Sequence, residues 1–335
     1  RWCIDELLSI FEELGIRVER QYFESEVIDE AGPIVDTLLQ KGVATKSQGA
    51  IIVDLEEQKL GVMMIRKSDG NLLYASKDIP LALRKIKEYP ATTHSYVLVD
   101  YRQTLYFKQL AAVLKLLEVK PLFDLIGYGL VTLPEGAMSS RKGNIVTYQG
   151  LRDAVMDYAR QEVIARHPDW TEGKVSHTAW ALAMGGIKFA LLRQDSEKDI
   201  VFDMKEALSF DGATGPYCQY AATRFGSILR KAEFPADATT KSLVPVFAHA
   251  SEKALALALA QLPQLVLLAT RDLRPSVIAQ WCHETAQRMN DFYRDVPVLE
   301  SEGEERLARL RLVAASRQAL AQGLGLLGIT LPDEM

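Results

Sequence analysis

The sequence is poor in cysteine and shows no cysteine spacing that would hold a metal. Its three cysteines, Cys3, Cys218 and Cys282, are widely separated and form no CxxC pair. Closely spaced cysteine pairs are the usual signature of structural zinc sites and of redox-active dithiols. The sequence therefore predicts neither kind of site, and three reduced thiols are what a cytoplasmic protein is expected to carry.

Positive charge is not in excess either, and long apolar stretches are few. The formal net charge is −5, so any nucleic-acid site has to be a local basic patch. The longest apolar run, Ala254 to Ala269, is interrupted by Gln261 and Pro263, and we expect it to be too short and too broken to span a bilayer. The composition predicts a cytoplasmic protein without a membrane partner.

What the 335 residues do contain is a change of pattern along the chain. Short β-branched segments alternate with helical patterns in the first part, whereas only helical patterns occur from Lys205 onward. This order predicts an α/β domain over residues 1–205, followed by an all-helical bundle over residues 206–335. The segment from Ile16 to Tyr22 is also predicted to be a strand.

A strand, a helix and a second strand follow one another in the middle of the first part. The predicted strands are Ser95–Val99 and Phe123–Leu133, and the helix between them is Gln103–Leu117. This spacing is typical of a βαβ unit in a parallel sheet. Ligands bind beyond the carboxyl ends of such strands, so we expect a polar site where Asp100 follows the first strand.

A serine-rich basic loop, Gly136 to Asn144, follows the second predicted strand. Its sequence, GAMSSRKGN, offers two hydroxyls, backbone N–H groups and the cations of Arg141 and Lys142. Such a set of donors suits a polyphosphate. An ordinary solvated surface loop is the alternative at this point of the argument.

Tyr74 and Asp78 are four residues apart, so they share one face of a helix if that helix begins at Tyr74. A tyrosine and a carboxylate on one face would form a pocket for a cation. In the alternative, Ser76 caps a helix that begins later, and the tyrosine packs in the core.

Several segments resemble the arginyl-tRNA synthetases, which are class I enzymes, and they occur in the order found in that family. Met138–Gly143 is similar to the KMSKS-type loop of these enzymes, although Ala137 stands where many relatives carry lysine. The other similar segments are Tyr74–Asp78, Asp100–Gln103, Phe210–Ala221 and Asn290–Tyr293.

The resemblance implies an incomplete Rossmann-like class I catalytic domain, followed by a helical-bundle anticodon-binding domain. It implies ATP-dependent activation of L-arginine and transfer of the arginine to tRNA(Arg), by an enzyme that is a monomer when intact. ATP would bring Mg²⁺ as its counter-ion, and no metal site built from protein ligands is identified.

The resemblance also assigns roles to individual residues. The arginine-binding residues are Glu24, Tyr74, Asp78 and Gln103. The residues of the catalytic loop are Met138, Ser139, Ser140, Arg141 and Lys142. The ATP-binding residues are Gly127, Gly129, Met138, Ser139 and Lys142. The tRNA-binding residues are Tyr217, Tyr220, Arg224, Tyr293 and Met335.

One motif of the family is absent from this sequence. No two of the five histidines are three residues apart, so the His-x-Gly-His motif of the first nucleotide-binding segment is missing. We expect that motif upstream of Arg1, and we expect the chain, as a C-terminal portion, to be inactive alone. The alternatives are another class I synthetase, an adenylate-forming nucleotidyl transferase with the same loop, or a non-catalytic tRNA-binding paralogue or module.

Overall fold

A computed structural model describes residues 2–119, 123–134, 147–235 and 247–335. The helices in chain order are α1 (Trp2–Glu13), α2 (Glu24–Gln40), α3 (Tyr74–Glu88), α4 (Thr104–Leu116), α5 (Tyr148–Arg166), α6 (Glu172–Leu192), α7 (Met204–Ala207), α8 (Gly215–Lys231), α9 (Ala250–Asp272), α10 (Ser276–Asp295) and α11 (Gly303–Leu326). The strands are β1 (Thr45–Ser47), β2 (Ala50–Asp54), β3 (Val62–Arg66), β4 (Ser95–Asp100), β5 (Phe123–Tyr128), β6 (Val131–Thr132) and β7 (Ile200–Val201).

The chain packs as two compact units. One unit is Arg17–Leu130, and the other combines Arg1–Ile16 with Val131–Met335. The domain boundary predicted at residues 205 and 206 rests on the change of sequence pattern rather than on packing, and it stays a prediction.

An antiparallel sheet with two covering helices forms the core of the Arg17–Leu130 unit. The strand order is β1-β2-β3, and Val53 of β2 pairs with Met63 of β3. Alternate residues of β2 and β3 point to the same face, and Ile51, Val53, Met63 and Ile65 are all buried there. They pack with buried side chains of α2 and α3, including Leu38 and Ile79.

The predicted βαβ unit is confirmed. Strands β4 and β5 are parallel, with Val97 opposite Leu125 and Val99 opposite Gly127, and α4 connects them. At the carboxyl end of β4, the guanidinium and backbone N–H of Arg102 bind the carboxylate of Asp100. These hydrogen bonds lower the pKa of Asp100 to about 2. Asp100 therefore closes the turn that leads from β4 into α4.

The prediction of a strand from Ile16 to Tyr22 is wrong. Residues 17–23 form no helix or strand, and Ile16 and Val18 are 49% and 38% exposed. Arg20 bonds to Glu26 and Tyr22 bonds to Glu88, so side chains rather than a strand ladder hold this segment.

Helices make up most of the second unit, and two of them approach each other very closely. A Cβ atom added at Gly215 of α8 would lie 2.2 Å from the carbonyl oxygen of Gly185 in α6. One added at Gly185 would lie 2.6 Å from the side-chain oxygen of Gln219. A side chain at Gly215 would therefore force α6 and α8 apart, because backbone atoms cannot move aside, whereas one at Gly185 would displace the side chain of Gln219.

The helical bundle after Lys205 is confirmed in the part of the chain that the structure describes. Its core contains Phe225 of α8, Met289 and Phe292 of α10, and Leu320 of α11, each at most 1% exposed. Trp281 is buried, and its indole N–H donates to the carbonyl of Ala258 at 2.8 Å.

Among the described residues, α6 and α9 are long and apolar enough to cross a membrane by length and composition. The prediction that the run Ala254–Ala269 is too short is wrong, because α9 continues through Pro263 and reaches 23 residues. In the most apolar window, 61% of α6 is buried, compared with 17% of α9. Core helices of soluble proteins meet the same criterion, so the absence of a membrane partner stays a prediction.

Candidate functional site

The Arg17–Leu130 unit holds all four residues predicted to bind arginine. Helix α3 begins at Tyr74, with Leu73 as its N-cap, so Tyr74 and Asp78 lie one helical turn apart. The alternative in which Ser76 caps the helix is wrong. Ser76 is buried inside the first turn, and its hydroxyl donates to the carbonyl of Leu73 at 2.6 Å. Tyr74 is 74% exposed, so its ring is free to line a binding surface.

Asp78 is the partly buried carboxylate of this group. The hydroxyl of Tyr106, on α4, donates a hydrogen bond to its side chain. Burial raises the pKa of Asp78 above the usual value for an aspartate, while the bond from Tyr106 and the charge of Lys85 oppose that rise. The nearby carboxylate of Glu24 raises the pKa of Asp78 further. A cation placed against Asp78 would replace part of the hydration that burial removes.

Glu24 is the first residue of α2, and it forms an ion pair with Lys77 of α3. The charges of Glu24 and Lys77 both influence Asp78, so the three ionisable groups lie within electrostatic range of one another. A cationic ligand that binds both carboxylates would compete with Lys77 for Glu24. The Glu24 side chain is 60% exposed, so the exchange needs no opening of the core.

Gln103 is the last residue of a 3₁₀ turn, Tyr101–Gln103, that leads into α4. It is exposed, and it lies three residues before Tyr106, which is the helical spacing for residues on one face. Sequence reasoning missed Tyr106, because its role depends on the packing of α4 against α3. The helical spacing from Gln103 was the only signal in the sequence that could have indicated it.

The predicted nucleotide-binding residues are only partly described. Gly127 is buried in β5 opposite Val99, and Gly129 follows the end of that strand. The catalytic loop residues Met138, Ser139, Ser140, Arg141 and Lys142 lie outside the described residues.

A cavity of about 520 Å³ in the same unit was not predicted. Its lining includes Arg20, Tyr22, Lys85 and His94 but none of the four predicted arginine-binding residues. The guanidinium of Arg20 lies 4.5 Å from the ring centre of Tyr22, and the Tyr22 hydroxyl bonds to Glu88 at 2.6 Å, which raises the pKa of Tyr22 to about 12. Arg20, Tyr22 and Glu88 therefore form one linked surface network.

In the second unit, Arg224 lies between two tyrosine rings. Its guanidinium carbon is 4.5 Å from the ring centre of Tyr220 and 4.6 Å from that of Tyr293. The same guanidinium donates to the Tyr220 hydroxyl at 2.8 Å and to the side-chain oxygen of Asn290 at 3.3 Å. Helices α8 and α10 thus hold a cation and two aromatic rings in a fixed arrangement, of the kind that binds unstacked bases and phosphates.

Four of the five predicted tRNA-binding residues line one cavity of about 440 Å³. They are Tyr220, Arg224, Tyr293 and Met335. A neighbouring cavity of about 220 Å³ shares Arg224 and Tyr293 with it. Tyr217 instead packs against the core of the bundle, with its ring centre 5.4 Å from that of His283.

Side chains of α8 hold the chain's last residues at this cavity. The side-chain amide of Gln219 is buried and donates to the carbonyls of Ala181 and Thr330 at 2.9 and 2.7 Å. Thr223 and Arg230 reach the carbonyls of Pro332 and Asp333 at 3.4 and 3.3 Å. The position of Met335 is therefore set by the interior of the unit.

Two residues that sequence reasoning missed, His167 and Trp170, also line the 440 Å³ cavity. They lie in the connection between α5 and α6, which has no pattern that distinguishes it from an ordinary turn. Their proximity to α8 and α10 arises from tertiary packing and is not encoded by local spacing.

Two known protein families match parts of this chain. Residues 5–204 match the family described as tRNA synthetases class I (R), catalytic domain, and residues 218–335 match the DALR anticodon binding domain. The two matches lie in the same order as the two predicted domains.

Individual relatives agree with these matches. The chain is 38% identical to the arginine–tRNA ligase of Bdellovibrio bacteriovorus, over 100% of this chain and 58% of that protein. It is 36% identical to the arginine–tRNA ligase of Lactococcus lactis subsp. lactis, of which it covers 59%. Among solved structures, Thermus thermophilus arginyl-tRNA synthetase matches with a TM-score of 0.82 and 26% identity, over 98% of this chain and 62% of that chain.

Proposed function

Since the chain belongs to the class I arginyl-tRNA synthetase family, we propose that it forms part of an enzyme that activates L-arginine with ATP and transfers it to tRNA(Arg). The predicted fold class is confirmed, because a class I catalytic domain match precedes a helical anticodon-binding domain match. The chain spans 58% and 59% of the length of the two curated relatives above. We therefore propose, for the protein to which this chain belongs, the activity of these longer relatives.

The observation that carries the proposal is the arrangement around Asp78. A guanidinium presents several N–H donors in one plane and is best bound by carboxylates that can accept two of them. Asp78 and Glu24 supply two carboxylates within electrostatic range of each other. Tyr106 fixes the first carboxylate by a hydrogen bond, and the exposed Tyr74 and Gln103 would complete the pocket.

This arrangement would distinguish arginine from related side chains. A lysine ammonium lacks the planar fork of donors. Citrulline carries no positive charge, so it would leave the partly buried carboxylate of Asp78 without neutralisation, which is a costly state. The pocket therefore favours a guanidinium on both shape and charge.

ATP binding is assigned to Gly127 and Gly129 at the end of β5 and to Met138, Ser139 and Lys142. In the proposed reaction the arginine carboxylate attacks the α-phosphate of ATP and pyrophosphate leaves. The catalytic loop, Met138, Ser139, Ser140, Arg141 and Lys142, would stabilise the charge that develops on the leaving group. Mg²⁺ would enter with the ATP phosphates as their counter-ion.

The second unit supplies the tRNA contacts in this proposal. Tyr220, Tyr293 and Arg224 offer ring faces and a cation for unstacked bases and phosphates, and Met335 and Tyr217 are assigned beside them. We place the enzyme in the cytoplasm and expect it to act as a monomer when intact.

A second candidate function is a non-catalytic tRNA-binding module. The arrangement of Tyr220, Arg224 and Tyr293 favours it, because two aromatic rings and a guanidinium can bind RNA without any activation of arginine.

The test is arginine-, ATP- and tRNA-dependent pyrophosphate exchange. We expect no exchange from the 335-residue chain alone, and exchange from a chimera in which the N-terminal part of the Bdellovibrio bacteriovorus ligase precedes Arg1. Asp78→Asn in the chimera should abolish most of that exchange. A chimera that folds and binds tRNA but shows no exchange would contradict the proposed enzyme activity. The tRNA-binding module would then be the remaining candidate function.

A further inference from the structure

Three side chains form a stack at the edge of the 440 Å³ cavity. The ring centres of His167 and Trp170 are 3.8 Å apart, and the two ring planes differ by only 8°. The ammonium nitrogen of Lys174 lies 4.0 Å from the centre of the Trp170 ring. Two groups cannot both occupy the space 4 Å above one ring centre on the same side. His167 and Lys174 therefore cover opposite faces of Trp170.

The far end of this stack is closed by an ion pair. Lys174 pairs with Glu334, which also lies 3.7 Å from Arg230. Because both faces of Trp170 are occupied, its indole has no face left for a ligand. The outer face of the His167 imidazole is the aromatic face that the stack can present to the cavity.

The arrangement of Tyr220, Arg224 and Tyr293 lines the same cavity. The volume of about 440 Å³ is in the range of cavities that enclose a small organic ligand, roughly 300–1000 Å³. The cavity therefore offers aromatic rings and a guanidinium, and these groups together can hold a planar base next to a phosphate. The negative charge of Glu334 is balanced by Lys174 and Arg230.

We propose that the imidazole of His167, backed by Trp170, stacks on an unpaired base of the tRNA anticodon loop. The inference rests on the proposed tRNA-binding function and extends its site. It adds a wall from residues 167–170, which lie inside the catalytic-domain match at 5–204 and outside the anticodon-domain match at 218–335. His167 contacts the base, and Trp170 is a positioning residue.

If the stack has a purely structural role, the substitutions should affect RNA binding differently. If His167 and Trp170 only support Lys174 and its ion pair with Glu334, removal of the ion pair should affect RNA binding as much as removal of the imidazole. If His167 stacks on a base, the ring matters and the ion pair matters little. His167→Phe keeps an aromatic face and His167→Ala removes it. Lys174→Met removes the ion pair and the ammonium over Trp170 but leaves the imidazole in place.

The experiment is a fluorescence anisotropy titration of the full 335-residue chain with a labelled RNA stem-loop of the tRNA(Arg) anticodon arm, at low salt. Loss of one base stack should weaken binding roughly 5- to 100-fold for His167→Ala. We expect His167→Phe and Lys174→Met to bind within about threefold of the unsubstituted chain, since neither removes a stacking face. Thermal unfolding of each variant shows that the fold is retained.

Two results would overturn the inference while leaving the tRNA-binding proposal intact. One is unchanged affinity in His167→Ala, and the other is an equal loss in Lys174→Met and His167→Ala. If the unsubstituted chain does not bind the stem-loop at all, the tRNA-binding proposal itself fails, and the inference fails with it.

Discussion

The hydroxyl of Tyr106 donates a hydrogen bond to the carboxylate of Asp78, which joins α4 to α3 at the proposed arginine pocket. Of the two carboxylates predicted to bind arginine, Asp78 is the partly buried one, and this contact fixes its orientation. It also links the pocket to the βαβ unit, because α4 is the helix that connects β4 to β5.

Asp78→Asn is expected to reduce arginine-dependent kcat/KM in the active chimera by about 3 kcal/mol or more, because a guanidinium would lose its partly buried counter-charge. The KM for ATP should change little. Steady-state pyrophosphate exchange measures both parameters. The matched control is Asp29→Asn, an exposed carboxylate on α2, which should leave both values unchanged. Near-normal arginine kinetics in Asp78→Asn would show that the pocket is elsewhere.

Tyr106→Phe is expected to shift the acid limb of the kcat/KM profile for arginine to higher pH. Burial already raises the pKa of Asp78, and the hydrogen bond from Tyr106 opposes that rise. Removal of the bond should raise the pKa further, so Asp78 would be protonated, and unable to pair with a cation, at a higher pH than in the unsubstituted enzyme. A profile that does not move would contradict this role for Tyr106.

Arg224→Lys is expected to weaken tRNA binding almost as much as Arg224→Ala, about tenfold or more. Lysine keeps the charge, but its ammonium has neither a planar face to stack on the rings of Tyr220 and Tyr293 nor the rigid fork of donors that binds the Tyr220 hydroxyl and Asn290. Filter binding measures the effect. Arg288→Lys on α10, which is 56% exposed, is the control and should bind normally. Full affinity in Arg224→Lys would mean that only charge matters there.

Gly215→Ala is expected to destabilise the second unit by about 3 kcal/mol or more, since the new Cβ would meet the backbone of α6 and no side chain can move aside. Gly173→Ala is the matched control, because a Cβ at Gly173 meets nothing within 4 Å. That change should be neutral or stabilising by less than about 1 kcal/mol. Urea unfolding of both variants provides the comparison, and equal stability would contradict the close approach of α6 and α8.

The stability of the helical bundle is expected to fall as the pH drops below about 6.5, the ordinary pKa of histidine, partly through His283. Burial lowers the pKa of His283 in the folded chain. Below the unfolded-state pKa, the unfolded chain therefore binds a proton that the folded chain resists, which favours unfolding.

His283→Gln should make the thermal midpoint less dependent on pH between 7 and 5. His177→Gln, at an exposed position of α6, should retain the full dependence. If both variants behave like the unsubstituted chain, His283 does not contribute to the acid sensitivity.

Local patterns predicted the elements well where one face of each element is buried. Helix α4 and the two strands that it connects were predicted from such patterns, and in β3 the buried side chains of Met63 and Ile65 alternate with exposed neighbours. The segment from Ile16 to Tyr22 shows a similar alternation, yet it forms no strand, because pairing depends on a neighbouring strand that a local pattern cannot reveal.

The candidate sites show the same limit. Helical spacing indicated that Tyr74 and Asp78 share one face. The sequence left open whether the helix begins at Tyr74 or is capped by Ser76, and the structure shows that it begins at Tyr74. Tyr106, His167 and Trp170 were missed because their neighbours are distant in sequence. The close approach of Gly185 and Gly215 was missed for the same reason, since a glycine in a helix carries no sign of what it faces.

The measurement that tests the central claim most directly is a titration of the 335-residue chain with tRNA(Arg) and with a tRNA for another amino acid, at two salt concentrations. Phosphate contacts by arginine and lysine release counter-ions, so binding should weaken strongly as salt rises. We predict tighter binding of tRNA(Arg) at both concentrations, because base contacts add specificity that salt does not remove. Equal affinity for the two tRNAs, or no binding at low salt, would contradict the account.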